Sequence, residues 1–276
     1  MTTLHDKALI FRSLHRGGTP LALANAWDAM SARLVEDAGA PAIATTSAGV
    51  AWGLGAADGD RLDRDRALDL IARVVAAVGV PVTADIESGF AKDPDGVAET
   101  VRGVLAAGAV GVNLEDALRD GTAPLRAVAE QAERLAAARA AADAAQVPLF
   151  VNARVDTYLR AVGDPATRLQ ATLDRASAYI AAGADGIFVP GVTDLETVSA
   201  LADGLPVPLN ILAGPGAPTL ADLAAHGVAR VSLGSAVAEA AYAVVRNAAR
   251  ELLTTGTYTS LADPIAYGEL NTILRD

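Results

Sequence analysis

Short apolar runs rich in β-branched residues recur along the whole chain, each followed by a loop and then by an apolar pattern of helical period. The runs cover 21–26, 42–48, 82–87, 111–115, 149–156, 186–189, 209–213 and 230–234, eight in all. Several follow Gly-Val, Gly-Ala or Val-Pro punctuation, as at Gly79-Val80-Pro81, Gly108-Ala109, Gly183-Ala184 and Val207-Pro208. That punctuation marks a helix ending and a buried strand beginning. Between the runs, Val97, Val101, Val104 and Leu105 fall on one helical face while Glu99 and Arg102 face away. Leu169, Leu173, Ala176 and Ile180 repeat the pattern, and Asp93-Pro94 and Asp164-Pro165 each supply an N-cap followed by a first-turn proline.

Repeated β-then-α units call for parallel strands joined by crossover helices. Eight units without a linker or composition shift predict a single α/β domain over 1–276, a closed (β/α)8 barrel of the TIM type. Residues 1–16 precede the first run and predict an extra helix across the barrel bottom. The tail after Gly256, with Tyr258, Pro264 and Tyr267, predicts one or two short helices. Positions 233–249 predict an apolar, small-residue helix that packs either on its own barrel or against a second subunit.

Composition narrows the chemistry. The 276 residues carry 22 Lys and Arg against 33 Asp and Glu, a net charge of −11, with three His and no Cys. Zero cysteine excludes a disulfide framework, thiolate-held zinc or iron–sulfur, and a cysteine nucleophile. The acidic balance argues against a nucleic-acid partner, because phosphate binding needs clustered Lys and Arg. The apolar stretches are broken before reaching the roughly 20 residues of a membrane span. Charges inside the first apolar run argue against a secretory signal, so a cytoplasmic location is expected. His5 and His15 read as surface residues of the leading helix, and His226 as a helix C-terminal residue.

Activity in such a barrel sits where strands end and βα loops begin. Polar residues gather there. Asp85 and Glu87 are two apart at the end of the third run, so strand alternation puts both on one face. Glu115 shares the parity of Asn113, whereas Asp116 faces the other way. Asn152, Arg154 and Asp156 share a face on the fifth run. Thr45, Thr46 and Ser47 end the second run, Asn25 ends the first, and Asn210 lies on the seventh. Carboxylates converging on one mouth repel unless a cation lies among them, and hard oxygen donors without Cys select Mg²⁺ or Mn²⁺ over zinc. Arg154 then either grips an anionic substrate group bidentately or serves as a structural partner of Asp156 or Glu115.

Taken together, these segments resemble the isocitrate lyase/phosphoenolpyruvate mutase superfamily. The matching text is Thr45-Thr46-Ser47-Ala48-Gly49-Val50-Ala51-Trp52, Ala57-Asp58-Gly59, Ala84-Asp85-Ile86-Glu87-Ser88-Gly89-Phe90, Val112-Asn113-Leu114-Glu115-Asp116, Asn152-Ala153-Arg154-Val155-Asp156 and Gly183-Ala184-Asp185-Gly186-Ile187-Phe188-Val189-Pro190-Gly191. The resemblance implies an oligomeric barrel, a homodimer or homotetramer, often with its last helix exchanged between neighbours. It implies that Asp85 ligates Mg²⁺ (or Mn²⁺) directly, while Asp58, Glu87 and Glu115 hold the cation's waters. Thr46, Ser47 and Ala48 would offer donors to a substrate carboxylate and to an enolate oxygen. Arg154 would clamp the departing or transferred group, and Asn210 would be a further substrate contact.

Departures from the family pattern choose the branch. The cysteine-acid lyases of the superfamily carry a Lys-Cys-Gly-His-like lid, and its phosphonate mutases carry a lid with Lys, Asn and Ser. Here the lid, 117–125, reads Ala-Leu-Arg-Asp-Gly-Thr-Ala-Pro-Leu, and Pro190 stands near the mutases' histidine. The favoured expectation is therefore a Mg²⁺-dependent lyase or decarboxylase of a small 2-oxo or 2-hydroxy dicarboxylic acid, acting through a pyruvate-enolate-like species. The alternatives are a phosphonate-active mutase or hydrolase using Arg119, Asp120 or Thr122, and a non-catalytic metabolite-binding relative.

Overall fold

The computed structural model describes residues 3–16, 18–119 and 123–275. Among the described residues nine strands form one sheet: β1 Leu21–Leu23, β2 Asn25–Ala26, β3 Ile43–Thr45, β4 Val82–Asp85, β5 Gly111–Glu115, β6 Phe150–Arg154, β7 Gly186–Val189, β8 Leu209–Leu212 and β9 Arg230–Ser232. Every ladder is parallel, in the order β1-β9-β8-β7-β6-β5-β4-β3-β2. The two ends of that order, β1 and β2, are halves of one predicted strand, so the sheet curls into a nearly closed (β/α)8 barrel. The break at Ala24 has a local cause in Asn25. Its Oδ1 accepts from the Leu233 and Gly234 N–H groups at 3.0 and 2.8 Å, and its Nδ2 donates to the Thr45 carbonyl at 2.9 Å. A side chain thus replaces ladder bonds where the strand switches neighbours.

The helices are α1 Leu4–Ser13, α2 Ala29–Asp37, α3 Ser47–Gly53, α4 Arg64–Ala77, α5 Pro94–Ala106, α6 Val128–Ala144, α7 Pro165–Ala181, α8 Leu195–Gly204, α9 Leu220–Ala225, α10 Ala236–Thr255 and α11 Tyr267–Ile273, with a 3-10 turn at Thr259–Leu261. The predicted caps form: Asp93 accepts from Gly96 N–H and Asp164 from Ala166 N–H, each ahead of a first-turn proline. Val97, Val101, Val104 and Leu105 are buried as their spacing predicts, each worth about 1.5–3 kcal/mol against exposure.

At the amino-terminal ends of the strands, α1 plugs the barrel. Phe11 is fully buried and meets Phe150 edge-on at 5.7 Å. His15 departs from its surface expectation: it is buried, stacked 3.9 Å from the Phe150 ring, with Nδ1 3.0 Å from the Phe11 carbonyl. Helical period carries it round to the face that Phe11 buries. His5 is exposed, and His226 caps the end of α9. At the other extreme, α10 buries Ala238 and exposes Val245 and Leu253 by 65% and 83%, so its apolar face is not spent on its own barrel. Among the described residues no helix is long and apolar enough to cross a membrane.

Candidate active site

The carboxyl ends of the strands surround a cavity of about 200 Å³ whose wall includes Thr46, Ser47, Ala48, Asp58, Asp85 and Arg154. Six of the nine residues singled out from sequence therefore meet in one space. The other three lie against it. Glu87 and Glu115 are each 1% exposed behind the wall, and Asn210, also 1% exposed, lies in the layer beneath it.

The route by which the residues reach the cavity differs from the predicted one at two points. The second run ends as a strand at Thr45, and α3 begins at Ser47 with Thr46 as its N-cap. Ser47 and Ala48 thus present a helix start, whose backbone N–H groups have no partner within the helix, rather than strand faces. Ser47 N–H points at Asp85 Oδ2, 3.4 Å away. Likewise β4 ends at Asp85, and Glu87 sits beyond it in the left-handed region at φ +50°. Strand alternation therefore does not align Asp85 with Glu87. Glu87 turns instead to the 58–60 loop, where Gly59 N–H donates to Oε2 at 2.9 Å and Asp60 N–H donates to the same atom. Gly59 makes that turn at φ +102°, with the Arg119 side chain packed where a Cβ would stand.

Arg154, the last residue of β6, serves both of its candidate roles at once. Its Nε and Nη2 donate to the two oxygens of Asp156 at 2.6 and 2.9 Å, while Nη1 lies 2.7 Å from Glu115 Oε2. The guanidinium nevertheless forms part of the cavity wall, stacked 5.9 Å over the Phe188 ring. Burial works against its charge, yet Glu115 and Asp156 more than offset that and hold the cation well above its ordinary range. Arg119, from the loop after β5, donates to Glu115 Oε1 at 2.9 Å and lies 3.8 Å from Asp58. The neck of that loop is pinned by the Ala117–Leu125 bridge and by Arg160 donating to the Leu118 and Pro124 carbonyls. Asp120 and Thr122 lie outside the described residues. Asp116 faces away from the cavity, as its parity requires, and binds Arg175 and the Tyr179 hydroxyl.

Asp85 accepts only backbone donors, Ser47 N–H and, at 3.1 Å, Glu87 N–H. Burial is the main cause that lifts its carboxyl to about 6, with Glu115 and Asp58 adding to the rise. Burial likewise lifts Glu87 to about 8, aided by Asp60, Asp85 and Asp58. The Oδ1 of Asp58 is buried with no hydrogen-bond partner. Carboxylates that repel one another around a small cavity, one with an orphaned oxygen, are what a divalent cation would relieve. Among the described residues no three acidic or histidine side chains form a ready-made cage. Mg²⁺ takes one or two carboxylates directly and keeps several waters. The residues present therefore fit a hydrated hard cation between Asp85 and Asp58.

Sequence reasoning left several lining residues unclaimed: Leu159, Phe188, Pro190, Leu212, Ser232, Gly234 and Ser235. Gly234 and Ser235 carried a weak signal, since the last run ends there and a βα loop begins. The apolar members gave none, because an apolar residue ending a strand looks like core.

Fold and site together define a parallel (β/α)8-barrel protein whose charged and polar residues gather at the carboxyl ends of its strands. The family model described as phosphoenolpyruvate phosphomutase matches residues 11–253, and the chain belongs to that family, within the isocitrate lyase/phosphoenolpyruvate mutase superfamily. An uncharacterised protein of Mycobacterium tuberculosis is 38% identical over 268 residues, 96% of each chain. The 2-methylisocitrate lyase of Salmonella typhimurium is 36% identical, covering 75% of this chain and 70% of that one. An oxaloacetate decarboxylase of Pseudomonas fluorescens is 30% identical, covering 83% and 77%. Among solved structures, a Burkholderia cenocepacia protein provisionally described as a phosphonomutase superposes with a TM-score of 0.85 and 47% identity over 89% of this chain and 99% of that one. A phosphonopyruvate hydrolase in complex with oxalate and Mg²⁺ superposes with a TM-score of 0.84 and 26% identity over 97% and 94%.

Proposed function

We propose that this protein is a Mg²⁺-dependent carbon–carbon lyase or decarboxylase acting on a small 2-oxo or 2-hydroxy dicarboxylic acid, with Mn²⁺ able to replace Mg²⁺. One observation carries the reading: helix-start N–H groups, a carboxylate with one buried oxygen that accepts no hydrogen bond, and a clamped guanidinium converge on a single cavity of about 200 Å³. Asp85 and Asp58 would hold the cation, with Glu87 and Glu115 accepting from its waters. The cation, when bound, supplies positive charge to the oxygens of the acid.

The chain's own groups do the rest. Ser47 and Ala48 N–H groups and the Thr46 hydroxyl receive the carboxylate and the oxygen on which negative charge grows as the bond to the departing carbon breaks. Arg154 faces the departing carboxylate. Glu115 and Asp156 hold its fork in place, so it needs no rearrangement when the acid arrives. For a 2-oxo diacid the bond pair passes into the enolate of pyruvate or a homologue, carbon dioxide leaves, and a solvent proton restores the 2-oxo acid; for a 2-hydroxy diacid the hydroxyl gives up its proton and becomes the carbonyl of the departing 2-oxo acid, while the bond pair passes to the carbon beside the remaining carboxylate, which takes a proton from solvent. Asn210 supports the floor through Asn152 and Ser232. The 2-methylisocitrate lyase and oxaloacetate decarboxylase among its relatives support this class of reaction, and the hydrolase that binds oxalate and Mg²⁺ supports the cofactor.

Assembly into a homodimer or homotetramer through the exposed face of α10 belongs to the same proposal, as does cytoplasmic action on a soluble metabolite. A second reading, phosphonate cleavage or rearrangement, is favoured by Arg119, which reaches from the lid into the carboxylate group. Coupled pyruvate detection over a panel of oxaloacetate-like and alkylmalate-like acids tests the first reading, with Asp85→Ala expected to abolish turnover. Phosphorus NMR with phosphonopyruvate tests the second. Phosphate release or rearrangement there, with no activity on the diacids, would replace the first reading by the second.

A further inference from the structure

Arg230 leaves β9 and crosses the barrel interior to β5, three strands away around the sheet, with 1% of its surface exposed. Its Nη2 donates to Asn113 Oδ1 at 3.3 Å, an oxygen that also accepts from Asn152 Nδ2 at 2.9 Å. Nε and Nη1 are buried with no hydrogen-bond partner. A neutral amide is thus the one hydrogen-bond partner of this guanidinium among the described residues. Asn113 lines the cavity, and so does Ser232, two residues further along β9, so Arg230 lies one side chain beneath it. Burial pulls Arg230 down to about 9, and the charge that opposes the fall is Asp85, the neighbour of Asn113 in the β4–β5 ladder.

A buried cation with no carboxylate against it is destabilising in itself. The other guanidiniums of the site are matched. Arg154 lies against Glu115 and Asp156, and Arg119 against Glu115 and, farther off, Asp58. Arg230 is the cation there whose charge no touching carboxylate cancels. In an interior of low dielectric such a charge acts across several ångströms. A small acid entering the cavity brings negative charge among carboxylates, and Arg230 stands where it offsets that charge.

We infer that Arg230 is a positioning residue: its fixed charge, in the layer beneath the cavity, favours a bound organic anion and disfavours the bare cation, and it touches neither. The inference rests on the reading of the cavity as a site for a divalent cation and a small organic anion. It adds the residue that balances the charge beneath them.

The test is calorimetric titration of the full-length protein with Mg²⁺ alone and then, at saturating Mg²⁺, with oxalate. Arg230→Met removes the charge and fills much of the same volume; such exchanges at buried ions are often neutral or stabilising, so the variant should fold. It should bind oxalate about tenfold more weakly and Mg²⁺ about fivefold more tightly, because a lost positive charge moves the two affinities in opposite directions. Arg230→Gln, which can still donate to Asn113, should match Arg230→Met. Arg230→Lys should keep both affinities within about twofold of the unmodified protein. Four results overturn the inference: both ligands weakened, as a distorted floor would give; neither changed; Arg230→Gln behaving like the unmodified protein; or Arg230→Lys matching Arg230→Met. Where the unmodified protein binds both ligands, those results remove this inference alone. Where it binds neither, the reading of the cavity falls as well.

Discussion

Replacing Asp85 by Asn should stabilise the metal-free protein at pH 8 while abolishing its response to Mg²⁺. The folded carboxyl titrates near 6 against an ordinary 3.8, mainly because it is buried. The folded state therefore holds the proton more tightly than the unfolded chain. Its contribution to stability is full below about pH 4 and is lost as pH rises through about 6. The gap corresponds to about 3 kcal/mol at pH 8, and the side chain's residual contact with solvent reduces it. An amide keeps one acceptor but turns its NH₂ toward either Ser47 N–H or Glu87 N–H, which costs about 1 kcal/mol. The net gain is about 1–2 kcal/mol, or roughly 3 °C in Tm for a chain of this size. Calorimetric melts in EDTA at pH 8 and pH 4.5 read it directly, followed by Mg²⁺ addition at pH 8. The unmodified protein should gain Tm with Mg²⁺ and the variant should not. A variant less stable than its parent at pH 8 in EDTA, or an advantage that persists at pH 4.5, would mean that the buried Asp85 carboxylate does not destabilise the fold.

Three further outcomes follow from named contacts. Burial, then the Arg230 charge, hold His15 down to about 3, so the folded protein resists its protonation. The unmodified chain should lose about 3 kcal/mol relative to His15→Phe between pH 7 and pH 4.5, read by urea denaturation at each pH. Arg154→Lys cannot reproduce the fork to Asp156 and Glu115, so kcat should fall at least about 100-fold with an unchanged circular dichroism spectrum. Gly191→Ala places a Cβ against the Leu159 backbone in a left-handed residue; it should cost about 2 kcal/mol in chemical denaturation and raise KM more than it lowers kcat.

The barrel was readable because its signals are local and repeated: punctuation before strands, Asp-Pro at helix starts, and apolar residues at helical spacing. Where reading failed, a side chain had overruled the local pattern. Asn25 breaks the first strand by bonding across to Thr45, 20 residues on, and to Leu233 and Gly234, 208 and 209 residues on, contacts that periodicity cannot reveal. Glu87 leaves the strand because two backbone donors of the 58–60 loop capture it. His15 is buried because Phe150, from a distant strand, stacks on it. For the site, charged residues at strand ends announce themselves, since carboxylates that converge need a reason. The apolar half did not, because Phe188 and Leu212 have the same appearance whether they face a core or a substrate.

If Asp85 and its neighbours hold a divalent cation against which a small 2-oxo anion binds, such an anion should bind only when the cation is present. Calorimetric titration of oxalate, a stable mimic of the pyruvate enolate, into the EDTA-stripped protein with and without Mg²⁺ tests it most directly. One oxalate should bind per chain with Mg²⁺, none without it, and none to Asp85→Asn under either condition. Equal binding in the presence and absence of Mg²⁺, or undiminished binding to Asp85→Asn, would contradict it.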